Sequence, residues 1–376
     1  MIKKIVFLTG TRADFGKLKS LIEITRKDSF FEVHIFVTGM HMLKEYGYTL
    51  IEVEKCGYSN IHTFVNHTHE TTMDLSLAKT IQGFSELINK IKPDLIVVHG
   101  DRIEAMAGAI VGALNNITVA HIEGGEVSGT IDELIRHSVS KMSHTHFVSN
   151  QQAKNRLIQM GELPESIFVI GSPDVDLMLS ENLPDIKKVK SYYDIEFEDY
   201  GIAMFHPVTT EFDSMDTYAA EFVDALLESD QKFVVIYPNN DLGSASILNA
   251  YQRLLGDSRF KIFPSIRFEY FLTLLKNAKL MVGNSSAGIR EAPYYGIPVV
   301  NIGTRQQNRA MHADIINCGY SSAEIREAIE KCKGLSFEKE DLFGEGKSDI
   351  LFLESLKSAD FWEVDRQKRF IDLSIG

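Results

Sequence analysis

The stretch HIEGGEVSGTIDELIRH, residues 121–137, gathers Glu123, Glu126, Asp132 and Glu133 and two histidines around three glycines. It follows ITVA, an apolar run that reads as a buried strand. Carboxylates crowded at the end of a buried strand repel one another and lose solvation, which drives their pKa values apart. One can then stay protonated as an acid while another serves as a base, as proton transfer requires. Gly124, Gly125 and Gly129 let the backbone turn and leave room for a ligand. Glu123 and Asp132 are the catalytic candidates here, whereas Glu126, Glu133 and His137 read as scaffolding.

Other polar residues also follow apolar runs. VVHGDRIEA (97–105) puts Asp101 and Arg102 after a strand, where Asp101 can cap the next helix, act as a base, or do both. LTGTRADFGKL (8–18) lacks the glycine spacing of a dinucleotide fingerprint and the GKS/T of a P-loop. Arg12, beside Ala13 at a helix entrance, can grip a phosphate; the plainer alternative is that Asp14 caps that helix and pairs with Arg12. NSSAGIREAPYYGIP (284–298) sets Ser285, Ser286 and Gly288 at a helix N-terminus, an anion cradle or simple capping, with Glu291 in reach of a ribose diol. A G-x-S-x-G nucleophile elbow fails there because Ala287 takes the last glycine position. His206 in MFHPVTTE (204–211) is either structural or a phosphate donor or general acid. Asn239 and Arg305 complete the set of strand-end candidates.

These residues need a scaffold that delivers strand ends to one place. Apolar runs at 4–10, 32–39, 94–101, 117–125, 146–150 and 167–172 alternate with helical spacing. A second series follows at 202–207, 232–241, 260–265, 279–286 and 297–303. That alternation implies α/β architecture with parallel sheets covered on both faces. Two doubly wound Rossmann-like domains are expected, 1–173 and 174–358, with a C-terminal helix 359–376 that carries Trp362 and packs back on the first. Ligands of such sheets bind beyond the carboxyl ends of the strands, so a cleft between two domains is the expected site.

Bulk properties narrow the function. The 376 residues are 44% hydrophobic and 24% charged, an ordinary globular balance. A net charge of −13 without a basic run disfavours nucleic-acid and anionic-membrane partners. Three scattered cysteines, Cys56, Cys318 and Cys332, argue for a reducing compartment and against a disulfide framework. The apolar start IVFL is too short for a signal peptide, and no run approaches a membrane span, so a cytoplasmic protein is expected. His144 and His146 fall on opposite faces of a strand and HExxH is absent, so no catalytic metal is expected.

Ten motifs occur in order: GTRADFGKL, VTGMHM, HGDR, HIEGGEVSGTIDELIRHSVSKMSH, GSPD, HPVTTE, YPNND, PSIRFEYF, GNSSAGIREAP and GTRQ. Together they closely resemble the hydrolysing UDP-N-acetylglucosamine 2-epimerases of bacterial sialic acid synthesis, over nearly the whole chain. The resemblance implies the two-domain fold of GT-B glycosyltransferases and conversion of UDP-GlcNAc and water to UDP and N-acetylmannosamine, with no cofactor such as NAD. It implies active-site positions at Asp101, Glu123, Asp132 and His206. It implies nucleotide contacts at Arg12, Ala13, Arg102, Asn239, Ser285, Ser286, Glu291 and Arg305, and a homodimer or homotetramer. Elimination through 2-acetamidoglucal is the expected route. The competing readings are the same chemistry on UDP-2,4-diacetamido-trideoxyhexose, a GT-B glycosyltransferase, and a silent nucleotide-sugar binder.

Overall fold

The computed structural model of the chain describes residues 2–66, 72–127, 131–181, 183–307, 315–339 and 343–372. Gly129 of the opening stretch lies outside them. The chain forms two compact units. The first joins Met1–Glu126, Asp132–Ser180 and Leu342–Gly376; the second joins Val127–Ile131 and Glu181–Asp341.

The first unit carries β1 (Lys3–Thr9), β2 (Phe31–Val37), β3 (Ile61–Thr63), β4 (Leu95–His99), β5 (Thr118–Ile122), β6 (Thr145–Val148) and β7 (Ile167–Val169). They pair in the order β3-β2-β1-β4-β5-β6-β7, every neighbour parallel. β4 and β5 are buried at all five positions, as expected of central strands covered on both faces. The second unit carries β8 (Gly201–Met204), β9 (Phe233–Ile236), β10 (Phe260–Phe263), β11 (Met281–Gly283), β12 (Val299–Ile302) and β13 (Ile316–Cys318). Its parallel order is β10-β9-β8-β11-β12-β13. Counted within its own unit, each sheet reads 3-2-1-4-5-6, and the first adds a seventh strand. The order reverses between β1 and β4 and between β8 and β11, which opens a crevice at the carboxyl ends of those strands.

Two strands were not foreseen, β3 (IHT) and β13 (INC). Both are sheet edges of three residues and none of their side chains is fully buried, so neither needs a continuous apolar run. The C-terminal segment also differs from expectation. The helix is Ser348–Lys357, and 359–372 contains only a short 3-10 turn at Asp360–Glu363. Phe352 and Phe361 are 0% and 2% exposed in the core of the first unit, with Phe352 centred 4.7 Å from Phe147. Burial of two such rings stabilises by about 1.5–3 kcal/mol each, which explains why this segment belongs to the first unit and not the second.

Beyond the turn, the tail is pinned by polar contacts. Lys368 Nζ donates to Ser143 O (2.6 Å) and Ser140 O (3.2 Å), carbonyls at the C-terminal end of the helix Ile131–Met142, and to Glu162 Oε2 (2.5 Å). His144 Nδ1 accepts from Val119 N–H, so its Nε2–H donates to Arg366 O at 3.1 Å. No helix among the described residues is long and apolar enough to cross a membrane.

Candidate active site

In the first unit the polar groups converge at the carboxyl ends of β1, β4 and β5. Thr11 caps the helix Arg12–Arg26 by accepting from Asp14 N–H at 3.1 Å. The cap is therefore Thr11 and not Asp14, and it leaves the Asp14 carboxylate available. Asp14 Oδ2 accepts from Gly10 N–H (2.9 Å), and Oδ1 lies 3.2 Å from His99 Nδ1. Arg12, read as a possible partner of Asp14, approaches Glu52 at 3.9 Å. Ala13 is exposed on the first turn of the same helix. One turn further, Lys17 forms a buried ion pair of 3.0 Å with Asp174.

His99 ends β4, and its Nε2 lies 3.2 Å from Glu123 Oε2. Burial pulls the imidazole pKa down, but Glu123 and Asp14 outweigh it and raise the pKa to about 9. Glu123 follows β5 and is 3% exposed. Its φ of +62° is in the left-handed region, which costs a non-glycine residue about 1–2 kcal/mol and marks a position held by its surroundings. Its N–H donates to Phe147 O (2.8 Å), its carbonyl accepts from Arg136 (2.7 Å), and its Oε1 accepts from the Ser172 hydroxyl. Gly125 next door has φ +75°, and a Cβ there would sit 2.3 Å from Ala153 O, so only glycine fits.

Asp101 does not cap the helix Ile103–Leu114. Arg102 occupies the cap position without a side-chain bond, and the Asp101 carboxylate pairs with Arg136 instead. Arg136 thus ties Asp101 to the Glu123 backbone. Asp132 lies in the first turn of the helix Ile131–Met142, 7% exposed, four residues before Arg136 and hence on the same face. Beneath them His121 donates from Nε2 to Gly100 O (2.8 Å) and accepts at Nδ1 from Ser140 (3.0 Å). Burial, the dominant influence, lowers its pKa to about 3, so this ring is neutral and holds the Gly100 turn beside Asp101. Asp101, Glu123 and Asp132 are therefore linked or aligned through one arginine.

The second unit shows a different set at the ends of β8 and β11. Asn284 accepts from His206 N–H (2.6 Å) and donates to His206 O (2.9 Å), so an amide side chain extends the ladder by one step. Asn239 N–H donates to His206 Nδ1 at 3.0 Å, which places the proton of the neutral ring on Nε2. Arg305 and Gln306 both donate to Asn284 O, at 3.2 and 2.8 Å. Ser285 Oγ accepts from Ala287 N–H (3.3 Å), while Ser286 stands at the cap position of the helix Ala287–Tyr295 without a side-chain cap. Gly288 spends its N–H on Ser285 O, and a Cβ there would meet Val299 at 2.9 Å. It sets helix–strand spacing in place of offering a backbone donor. Glu291 is buried in the same helix.

His99, Lys17, Ser172, Asp174 and Arg136 do not stand out in the sequence, and Asp14 stands out only as a helix cap. His99 is hidden in the apolar run of β4, and the others have charged or hydroxyl partners far along the chain, from Arg136 with Asp101 across 35 positions to Lys17 with Asp174 across 157, which local spacing cannot show. Their one local signal is that Arg136 follows Asp132 at helical spacing. Among the described residues, no group of three or more His, Cys, Asp or Glu side chains could hold a metal ion.

A family model described as UDP-N-acetylglucosamine 2-epimerase matches residues 23–357. The chain is 51% identical to the UDP-N-acetylglucosamine 2-epimerase of Neisseria meningitidis serogroup B, covering 100% of both chains. It is 32% identical to the UDP-N,N'-diacetylbacillosamine 2-epimerase (hydrolyzing) of Legionella pneumophila, covering 95% of this chain and 96% of the other. The solved structure of Methanocaldococcus jannaschii UDP-GlcNAc 2-epimerase in complex with UDP-GlcNAc and UDP has a TM-score of 0.81 at 23% identity, covering 94% and 99%. That likeness concerns the fold.

Proposed function

We propose a hydrolytic epimerisation for this chain, which belongs to the UDP-N-acetylglucosamine 2-epimerase family. The substrate is UDP-GlcNAc and the products are UDP and N-acetylmannosamine, the first step of sialic acid biosynthesis. The observation that carries the reading is that Arg136 joins the Asp101 carboxylate to the Glu123 backbone, with buried Asp132 one turn away on the same helix, within a chain 51% identical to a named UDP-N-acetylglucosamine 2-epimerase.

The C2 proton is only weakly acidic, so cleavage of the C1–O bond leads. The bonding electrons go to the diphosphate oxygen, a carboxylate takes the C2 proton, and 2-acetamidoglucal remains. Water then adds its oxygen to C1 while C2 receives a proton on the opposite face, which gives the manno sugar. Two proton-transfer groups on opposite faces satisfy this sequence. The departing charge is met by donors: Arg12, Ser285 and Ser286, and His206 Nε2–H. Ala13, Arg102, Asn239, Glu291 and Arg305 complete the nucleotide contacts in this reading, with Gly288 setting the spacing of the helix that carries Glu291. The enzyme works in the cytoplasm as a homodimer or homotetramer.

Incubation with UDP-GlcNAc alone in D2O tests the proposal. Free N-acetylmannosamine deuterated at C2, with equimolar UDP, is expected by proton NMR. Retention of the nucleotide on an epimerised sugar overturns hydrolysis, and turnover only with an added acceptor favours a glycosyltransferase. The Legionella relative's name supports a second reading, the same chemistry on a UDP-2,4-diacetamido sugar. Side-by-side kcat/KM values for the two sugars decide between them.

A further inference from the structure

His99 lies between two carboxylates that belong to different elements. Asp14, on the helix after β1, faces Nδ1 at 3.2 Å, and Glu123, after β5, faces Nε2 at 3.2 Å. A neutral imidazole carries one N–H and so can donate to only one of them. Carboxylates on both sides of the ring attract it most when both of its nitrogens are protonated and it carries a positive charge. Asp14 is itself fixed by Gly10 N–H, and Glu123 by the Ser172 hydroxyl and by both of its backbone groups. The ring is therefore held from both sides, and rotation would break two charged contacts.

Two nearby cations are engaged elsewhere. Arg136 of the helix Ile131–Met142 binds Asp101, and Lys17 binds Asp174. His121 on β5 is engaged with Gly100 O and Ser140 as a neutral ring. A cation is thus supplied to Glu123 Oε2 by His99.

We infer that His99 is a positioning residue: clamped as an imidazolium between Asp14 and Glu123, it holds Glu123 oriented and anionic at the start of turnover. This rests on the proposed role of Glu123 in proton transfer. It assigns the resting state of that carboxylate and the source of the charge that maintains it. Removal of the cation should make Glu123 easier to protonate, so the acid side of the activity profile should move to higher pH. Each unit of such movement is a tenfold loss at a pH below the limb.

Two measurements test this. Nitrogen-15 NMR of histidine-labelled wild-type protein at pH 7.5, assigned with His99→Gln and independently with Asp14→Asn, should show both His99 ring nitrogens protonated. A neutral ring overturns the inference whatever the substrate proves to be, so its failure is separable from failure of the functional reading. The kcat/KM profile of His99→Gln with UDP-GlcNAc should then show its acid limb at least about one pH unit above that of wild type, recovering at alkaline pH, with the Kd for UDP unchanged. A uniform loss at every pH, with the limb in place, reduces His99 to a packing role and overturns the inference.

Discussion

The two units share a strand order and differ in what they put at its reversal. The first gathers buried and half-buried ionisable groups there: Asp14, His99, Asp101, Glu123 and Arg136. The second gathers mainly amides, hydroxyls and backbone groups, with His206 held by Asn239 and Asn284, beside Arg305 and the buried Glu291. Buried charges are suited to moving protons because their environments can set distinct ionisation states. Amides, hydroxyls and a helix N-terminus suit an anion, which needs donors and no proton exchange. Topology locates a site, and the residue types decide its chemistry.

The largest expected contrast is catalytic. Glu123→Gln should lower kcat by about 10³-fold, roughly 4 kcal/mol, while the Kd for UDP measured by calorimetry stays within twofold. A comparable rise in that Kd would erase the distinction between the units. Next come the glycines at the carboxyl ends of β4 and β11. Gly283 has φ +138°, and a Cβ there would lie 1.9 Å from Met204 O, whereas a Cβ on Gly100 meets nothing within 4 Å. Gly283→Ala should cost about 3 kcal/mol or more in urea unfolding, and Gly100→Ala only about 1–2 from its positive φ. Equal losses would show that the strand ends are packed alike.

Smaller is Ser286→Ala, expected to weaken UDP binding by about tenfold, roughly 1.4 kcal/mol, with kcat nearly unchanged. A drop in kcat at unchanged affinity would move this helix end into the chemistry. The most gradual effect, small in any one pH unit, is a stability drift with pH. The folded pKa of His99 is raised from 6.5 to about 9, so its contribution is complete below pH 6.5 and is lost as pH rises through 9. Thermal melts should fall by no more than about 2–4 °C per pH unit across that window, and His99→Gln should flatten the slope.

Much of this contrast was legible in the sequence. Uninterrupted runs such as LIVVH and ITVA mark strands buried on both faces, and polar residues just beyond them mark the site. Asp101, Glu123, His206 and Ser285 stand out in that way, and Asp132 by its place in the carboxylate-rich stretch that follows. Their partners do not. Asp101 read as a helix cap because caps are local, but Arg136 claims it across 35 positions. Asp14 read the same way, and Thr11 does the capping. His99 follows four apolar residues and gave no sign that both its nitrogens face carboxylates. Edge strands β3 and β13 escaped because pairing on one side requires little apolar character.

The pinned tail bears on how the chain folds as it is made. The second unit is almost wholly one run of sequence, Glu181–Asp341, and can close as soon as that run is available. The first must wait for Phe352 and Phe361 to enter its core and for Lys368 to reach Ser140 and Glu162, contacts that span 206 to 228 positions. Loop closures of that length are slow and come late. The half that emerges first is thus the half that finishes last, and until then part of its core stays open to solvent.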